Sequence, residues 1–452
     1  MSFTITSWTL VATRTYPIPA EPQCRAACDA QMNAAYPGCE TTEAWSAKSC
    51  GHSCRCKLQN GSHITGYSSP GSIDRYSMLI EREQAIKSMC RKVAAELGRE
   101  EASTGHSSQC TGLLLAAVRA LQLRTRATRC ALLMVGDSMS AQAWAAARCA
   151  LRDLGGVTIA TDANRSVQVL RQQPEYAGYA RAYRSAYPGW GGDVSEHSEL
   201  TFRFGKGPDT NAEPLDLLLL RLQRAGSRVR GPGVMGKPSL FLALLDALGP
   251  CTIVLYSEGL HHGSGLATQS LQESHYRISV RQALNGLLSA SAAIRASGGV
   301  GKADTVDSWA VHAPVVAVWE TVAQHFATTD GSGEYEEQPG FNRSAGVPLM
   351  QYYLTKGFKY AEGSCVMTTS GYQDWRNVLL REQVLRLPDH GGSASARAVW
   401  LPGFHASSQA WGPLLHTQRG DCTHTWCYTP YFFAQLWMSL ATALADYTLL
   451  NP

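Results

Sequence analysis

The 452-residue chain lacks the features of a membrane-spanning or nucleic-acid-binding protein. No stretch reaches the roughly 18 consecutive apolar residues of a transmembrane helix. The longest candidate, residues 431–450, contains Gln435 and Asp446 and predicts an amphipathic core helix instead. Charged residues make up only 17% of the chain, and 40 Lys and Arg against 36 Asp and Glu leave a net charge of +4. Without a concentrated basic face we expect no nucleic-acid partner.

The N-terminal residues also lack a signal peptide. Residues 1–19 have neither a basic n-region nor a sustained apolar h-region. Either the natural start of the protein is missing, or the protein is cytosolic and its thiols are free. We expect the missing start, and no membrane anchor is visible in this sequence.

Cysteine is abundant and unevenly placed. Six of the fourteen cysteines lie between Cys24 and Cys56. An even count with a dense cluster is typical of a disulfide framework formed in an oxidising compartment. The sequons at Asn60, Asn164 and Asn342 are compatible with that route. The sequence therefore predicts a protein of the secretory pathway, in the Golgi lumen or outside the cell.

A zinc site is the alternative use of the cysteine cluster. Cys50, His52, Cys54 and Cys56 include enough ligand types, but they lack the two separated pairs of an ordinary zinc site. We therefore favour disulfides and predict no bound metal.

The order of apolar runs predicts an α/β fold. Residues 1–76 predict a small Cys-rich region stapled by disulfides, and residues 77–452 predict a larger domain with a helical lead-in at about 77–110. Continuous apolar strands that alternate with helices predict a doubly wound parallel sheet covered on both faces. The predicted strands are Ala131–Val135, Val157–Ala160, Leu215–Leu220, Thr252–Tyr256, Val315–Trp319 and Ala398–Leu401. The predicted helices are Gly112–Gln122, Ala141–Leu154, Ser239–Leu248, Ser270–Ala293, Val347–Lys356, Trp375–Leu385 and Tyr431–Thr448. Thr161–Pro214 predicts loops around a site.

A candidate nucleophile follows the first strand of this sheet. Gly136-Asp137-Ser138 leads directly from the strand into a helix, and ligands of such sheets bind at the carboxyl ends of strands. A serine among the N–H groups of a helix N-terminus could attack a carbonyl while those groups stabilise the oxyanion. The alternative is that Asp137 or Ser138 only caps the helix.

A candidate base follows the last strand. Asp421 and His424 are three residues apart, so the carboxylate could hold one tautomer of the imidazole and leave the other nitrogen as a base. The alternatives are a surface loop with a capping aspartate, or a metal site with Cys422, His424 and Cys427. We expect the carboxyl edge of one sheet to bring both motifs together.

Four ordered blocks of the sequence resemble the trichome birefringence-like and PC-esterase group, relatives of the GDSL/SGNH hydrolases. The blocks are the GDS motif at 136–138, YSEGLH at 256–261, VWETVAQHF at 318–326 followed by Gly331 and Gly333, and DCTHTWC at 421–427. The resemblance spans about residues 131–450 and implies an SGNH-like α/β/α fold.

The resemblance implies acyl transfer through a Ser-His-Asp triad, often with acetyl groups and polysaccharide hydroxyls in the Golgi. Carried over, Ser138 is the nucleophile, His424 the base and Asp421 its orienting partner. The Ser138 backbone N–H, Ser257 and Gly259 would form the oxyanion hole. No cofactor would be bound; acetyl-CoA or another acetylated donor would serve as co-substrate, and a polysaccharide or glycan would be the acceptor.

Two departures from the family pattern bear on the site. Ser257 stands where many members have Asn, and Glu320 stands where many have Arg, which affects the oxyanion donor and either acceptor binding or an internal salt bridge. His261 and His325 are candidates for substrate binding, with a structural role as the alternative for each. Trp190 and Trp411, which lie in loops, are better candidates for stacking on a sugar ring than Trp144, which we expect to be packed.

Two classes of function follow from these residues. The first is an O-acyltransferase, with a carbohydrate esterase as its nearest variant because water can replace the sugar hydroxyl. The second is a catalytically inert glycan-binding relative. The enzyme reading requires that Ser138 Oγ lies within reach of His424 Nε2 and that Asp421 approaches Nδ1, in an open groove. We also expect Cys422 and Cys427 to form disulfides with partners outside their own segment.

Overall fold

The structure of the protein is a computed structural model. It describes residues 54–57, 63–66, 109–125, 127–153, 157–159, 168–169, 172–174, 197–205, 214–223, 238–260, 269–298, 314–325, 374–386, 398–408, 423 and 436–444. The predicted Cys-rich region falls largely outside these residues, as does the predicted helix 347–356. Two strands of the Cys-rich region are described, β1 (Cys54–Lys57) and β2 (His63–Gly66), and they pair antiparallel.

Seven strands form the central sheet, in the order β4-β5-β6-β3-β7-β8-β9. They are β3 (Arg129–Gly136), β4 (Val157–Ile159), β5 (His197–Phe204), β6 (Leu215–Gln223), β7 (Thr252–Ser257), β8 (Val315–Trp319) and β9 (Ala398–Leu401). The helices of the same region are α1 (Gln109–Thr125), α2 (Ser138–Asp153), α3 (Pro238–Leu248), α4 (Gln269–Gly298), α5 (Trp375–Arg386), α6 (Phe404–Ser408) and α7 (436–444). All six predicted strands are present.

Helices cover both faces of the sheet, which confirms the predicted α/β class. Leu132 and Met134 of β3 point to the layer that contains α1, α2 and α7. Ala131, Leu133 and Val135 of the same strand point to the layer that contains α3, α4 and α5. Because both faces are buried, the strand is a continuous apolar run rather than an alternating one.

The sheet is mixed, so the prediction of a parallel sheet needs a correction. β6, β3, β7, β8 and β9 are parallel, but β5 pairs antiparallel with β6, and β4 pairs antiparallel with β5. β5 lies within the region 161–214, where loops were predicted. Its Leu200, Phe202 and Phe204 alternate with polar residues, the period of a strand. The prediction of loops here was wrong because an alternating strand contains no continuous apolar run.

The crossing helices place a topological switch point between β3 and β7. The chain leaves β3 through α2 in one layer and leaves β7 through α4 in the other. The two connections therefore diverge at the carboxyl ends of two adjacent parallel strands. Ligands of open α/β sheets bind in the crevice that forms at such a point.

Among the described helices, none is both long enough and apolar enough to cross a bilayer.

A disulfide joins the amino ends of β3 and β7, away from the switch point. Cys130 and Cys251 are fully buried, are separated by 121 residues and have Cα atoms 4.6 Å apart. This bridge agrees with the prediction of disulfides, which left the pairing open.

Replacing both bridge cysteines by alanine is expected to lower the free energy of unfolding by about 2–5 kcal/mol. The long loop between them gains conformational entropy in the unfolded state when the bridge is removed. Urea unfolding of the C130A/C251A variant against the wild type measures the loss. Wild-type protein whose bridge has been reduced in the unfolded state should show the same loss of unfolding free energy. An unchanged unfolding midpoint would contradict the bridge.

Candidate active site

The turn between β3 and α2 brings Asp137 and Ser138 to the switch point. Asp137 is the N-cap of α2, because its Oδ1 accepts the Met139 N–H at 3.0 Å. Ser138 follows as the first residue of the helix and is half-buried. Its N–H is therefore among the first four of α2, which have no carbonyl partner within the helix itself.

Gly136 allows the two neighbouring strands to meet closely at this turn. A Cβ atom at this position would overlap the carbonyl oxygen of Ser257, the residue paired with Gly136 in the parallel register. The same carbonyl accepts the Asp137 N–H and the Ser140 hydroxyl, each at 3.3 Å. Only glycine fits such a backbone contact, so the first residue of the GDS motif has a steric cause.

The second oxygen of Asp137 ties the turn to the chain that follows β7. Its Oδ2 accepts the backbone N–H groups of Gly259 at 3.1 Å and of Leu260 at 3.0 Å. Asp137 is only 2% exposed, and both of its carboxylate oxygens are engaged by backbone donors. The capping role weighed for Asp137 in the sequence is thus present, and it extends across two strands.

These contacts bear on the residues proposed for the oxyanion hole. The Gly259 N–H donates to Asp137 in this structure, so an oxyanion could use it only if Asp137 released it. Ser257 is buried and supports the turn through its carbonyl oxygen. The Ser138 backbone N–H belongs to the start of α2. The oxyanion roles themselves stay predictions.

Replacing Asp137 by asparagine tests this clamp. An amide presents one acceptor oxygen instead of two, and its NH₂ group would face backbone donors. We expect the free energy of unfolding to fall by about 2–4 kcal/mol, because buried N–H groups lose a charged acceptor. Thermal and urea unfolding measure the change. Asp216 is a matched control, since it is partly exposed and forms its ion pair with Arg203 across β5 and β6; D216N should cost about 1 kcal/mol or less.

A buried polar network lies under the ends of β7 and β8. Tyr256 donates to Glu258 Oε2 at 2.8 Å, and the Glu258 carbonyl accepts from Tyr276 at 2.9 Å and from Thr321 at 3.0 Å. Burial, reinforced by the nearby Glu258 carboxylate, raises the pKa of the Tyr276 phenol far above its ordinary value. Tyr276 therefore stays a neutral donor at physiological pH.

The segment after β8 contains Glu320 and His325, the two residues that the sequence singled out in the third block. His325 is 2% exposed, and its Nε2 lies 3.0 Å from the Ser407 carbonyl, to which it donates. This burial favours the structural alternative over direct contact with an acceptor. Glu320 accepts the N–H groups of Gly403 and Phe404, each at 2.8 Å, so the residue that departs from the family pattern holds the start of α6.

One described residue belongs to the segment that carries the predicted base. Thr423 is buried, and its Oγ1 accepts from Gln324 Nε2 at 2.9 Å. Gln324 follows β8, the neighbour of β7 in the sheet. The bond therefore anchors Thr423, which lies between Asp421 and His424 in the sequence, to the segment that follows β8.

The other predicted site residues lie outside the described residues. These are Asp421, His424, His261, Trp190, Trp411, Cys422 and Cys427. Trp144 is described, and it is packed as expected, with 7% of its surface exposed and its Nε1 donating to the Leu219 carbonyl at 3.4 Å.

The sequence reasoning did not single out Asp374 and Arg376. They form a buried ion pair at the start of α5, and Arg376 also donates to Gln324 Oε1 at 3.3 Å. A charged pair at a helix start in Asp-Trp-Arg was the available signal, because Asp is a favoured N-cap.

Comparisons of the chain with protein-family models, with curated proteins and with solved structures give no match.

Proposed function

We propose that this protein is an SGNH-like O-acyltransferase. The narrower proposal is an O-acetyltransferase that acts on glycan or polysaccharide hydroxyls. Ser138 is the nucleophile, His424 the base and Asp421 its orienting partner. One observation carries the proposal: the serine of the GDS turn starts a helix at the switch point between β3 and β7. The Gln324–Thr423 hydrogen bond adds support, because it ties Thr423, which lies between Asp421 and His424 in the sequence, to the segment that follows β8.

The proposed reaction uses two transfers at one serine. His424 takes the proton of Ser138 as Oγ bonds to the acyl carbonyl carbon, and the tetrahedral oxyanion forms near the N–H groups of the α2 start. The donor's leaving group departs with the proton from His424, which leaves an acyl-Ser138 ester. An acceptor hydroxyl then gives its proton to His424 as its oxygen attacks the ester carbon. His424 returns that proton to Ser138 Oγ as the bond between Oγ and the acyl carbon breaks, which releases the acylated acceptor and the free serine. Water in place of the sugar hydroxyl gives the esterase reaction.

A location in the secretory pathway completes the proposal. The buried Cys130–Cys251 bridge supports it, because structural disulfides form and persist in oxidising compartments such as the secretory route. The Golgi lumen would also supply the polysaccharide acceptor.

A fluorophosphonate probe tests the proposed nucleophile. The wild type should become labelled at Ser138, as mapped by peptide mass spectrometry, and denatured protein should not. The exposed Ser270 at the start of α4 is an internal control that should stay unlabelled. Absence of labelling in folded protein at neutral pH would favour the inert glycan-binding alternative.

Product analysis separates the two enzyme readings. The protein would be incubated with an acetyl donor, acetyl-CoA or an artificial ester, and with several polysaccharides. Acetylated polysaccharide is the expected product of a transferase. Free acetate alone, at the same rate with and without polysaccharide, would identify an esterase.

A further inference from the structure

Gln324 connects two parts of the chain that are distant in the sequence. It lies in the segment that follows β8 and is only 5% exposed. Its Nε2 donates to Thr423 Oγ1 at 2.9 Å, and its Oε1 accepts from Arg376 Nη1 at 3.3 Å. The side chain thereby joins the start of α5 to the segment that contains Asp421 and His424.

The direction of these two bonds is fixed by the partners. An arginine side chain has donors and no acceptor, so the amide oxygen of Gln324 must face Arg376. The NH₂ group is then turned toward Thr423, whose hydroxyl oxygen can accept. A residue at position 324 must therefore accept on one side and donate on the other, and among side chains of this length only glutamine does both.

The contacts that support Gln324 come from two helices, and α5 supplies the first set. Asp374 and Arg376 form a side-chain ion pair in which both partners are at most 3% exposed, and Asp374 Oδ1 also accepts the Arg376 N–H at 2.8 Å. Asn377 binds the backbone of Thr321 twice, with Oδ1 accepting its N–H at 2.8 Å and Nδ2 donating to its carbonyl at 2.9 Å. The segment that carries Gln324 is thus fixed to α5.

The other side of that segment is fixed to α6. The Ser407 hydroxyl accepts the Ala323 N–H at 2.8 Å, and the Ser407 carbonyl accepts from His325. Gln324 lies between these two anchored residues. It is therefore a rigid support, and a hydrogen bond to a rigid support restricts the residue on its other end more than a bond to a mobile loop would.

We infer that Gln324 and Thr423 are positioning residues for the proposed base, because their hydrogen bond fixes Thr423, the residue that precedes His424 in the sequence. The inference rests on the proposed function. Both residues would act through His424 rather than on the reacting atoms. A misplacement of about 1 Å in a catalytic group can reduce a rate by about 100-fold, so a single buried hydrogen bond at this place has a large kinetic effect.

The test compares fluorophosphonate labelling rates of T423V, T423S and Q324M with the wild type. T423V keeps the shape and removes the hydroxyl, and Q324M keeps the length and removes both polar contacts. We expect the limiting labelling rate to fall about 10–100-fold in both, with little change in the half-saturating probe concentration. T423S keeps the hydroxyl and should recover most of the wild-type rate.

Two controls separate positioning from loss of fold. Thr442 is a partly buried threonine whose hydroxyl donates to the Met438 carbonyl at 3.0 Å, so T442V removes a comparable hydroxyl away from Gln324. It should label at the wild-type rate. The unfolding midpoint of every variant is measured alongside, and Q324M decides the matter if T423V does not fold.

The outcomes distinguish this inference from the function on which it rests. If the wild type is labelled at Ser138 while T423V and Q324M are labelled equally fast, the positioning role is wrong and the proposed function stands. Equal losses in T423S and T423V would also overturn it, because the hydroxyl would then not be the cause. If the wild type itself is not labelled, the proposed function fails.

Discussion

Replacement of Ser138 by alanine is expected to reduce acyl transfer and ester hydrolysis by at least about 1,000-fold. The hydroxyl is the atom that bonds to the acyl carbon, and among the described residues Ser138 is the half-exposed hydroxyl at the start of α2. The fold should survive, because the N-cap contacts of α2 come from Asp137. Initial rates with an acetyl ester, with circular dichroism as the check on folding, measure the effect.

Ser140 provides the matched control for this prediction. It lies two residues further along α2, is buried and donates to the Ser257 carbonyl. S140A should cost stability rather than turnover. A variant at His424 should be as inactive as S138A, and the double variant no worse, because residues of one catalytic unit are not additive. D421N should cost less, since its role is support. Full activity in S138A would remove the catalytic assignment.

Replacement of Asp374 by alanine is expected to cost about 3–5 kcal/mol of unfolding free energy. The change leaves the Arg376 guanidinium buried, with 3% of its side chain exposed and its counter-charge gone. It also removes the N-cap of α5, which accepts the Arg376 and Asn377 N–H groups. Urea unfolding followed by far-ultraviolet circular dichroism gives the value.

The same helix contains the comparison that isolates burial. Arg386 pairs with Glu382 one turn away, at side-chain exposures of 66% and 35%. R386A should change the unfolding free energy by about 0.5 kcal/mol or less, as exposed pairs do. The double variant D374A/R376M should be less destabilised than the sum of its single variants, because the stranded charge is removed. Equal costs for D374A and R386A would refute the importance of the buried pair.

The strands of the sheet could be predicted because burial on both faces leaves a simple signal. β7 is buried along its whole length and β3 at every residue after Arg129, so nearly every residue is apolar and the run stands out. β5 gives a weaker signal. Arg203 pairs with Asp216 of β6 near the edge, and the resulting mixture of polar and apolar residues was assigned to a loop.

The site was predictable where the backbone demands a residue and not where side chains meet across the chain. Gly136 ends β3 and Ser138 begins α2, so local rules for strand-to-helix turns locate them. The contact of Gln324 with Thr423 spans 99 residues and depends on how α5 packs. No spacing in the sequence encodes that contact. The resemblance singled out Glu320 as a departure, and only the contacts with Gly403 and Phe404 explain it.

The position of the Cys130–Cys251 bridge has a consequence for synthesis of the chain. β3 is made 121 residues before its partner cysteine, and at about 5–20 residues per second this leaves the strand waiting roughly 6–24 s. Eight cysteines precede Cys130 in the sequence and are already available as wrong partners during that interval. A nascent chain of this protein therefore depends on thiol–disulfide exchange to correct early mispairing, and on chaperones to shield an apolar strand before the centre of the sheet can close.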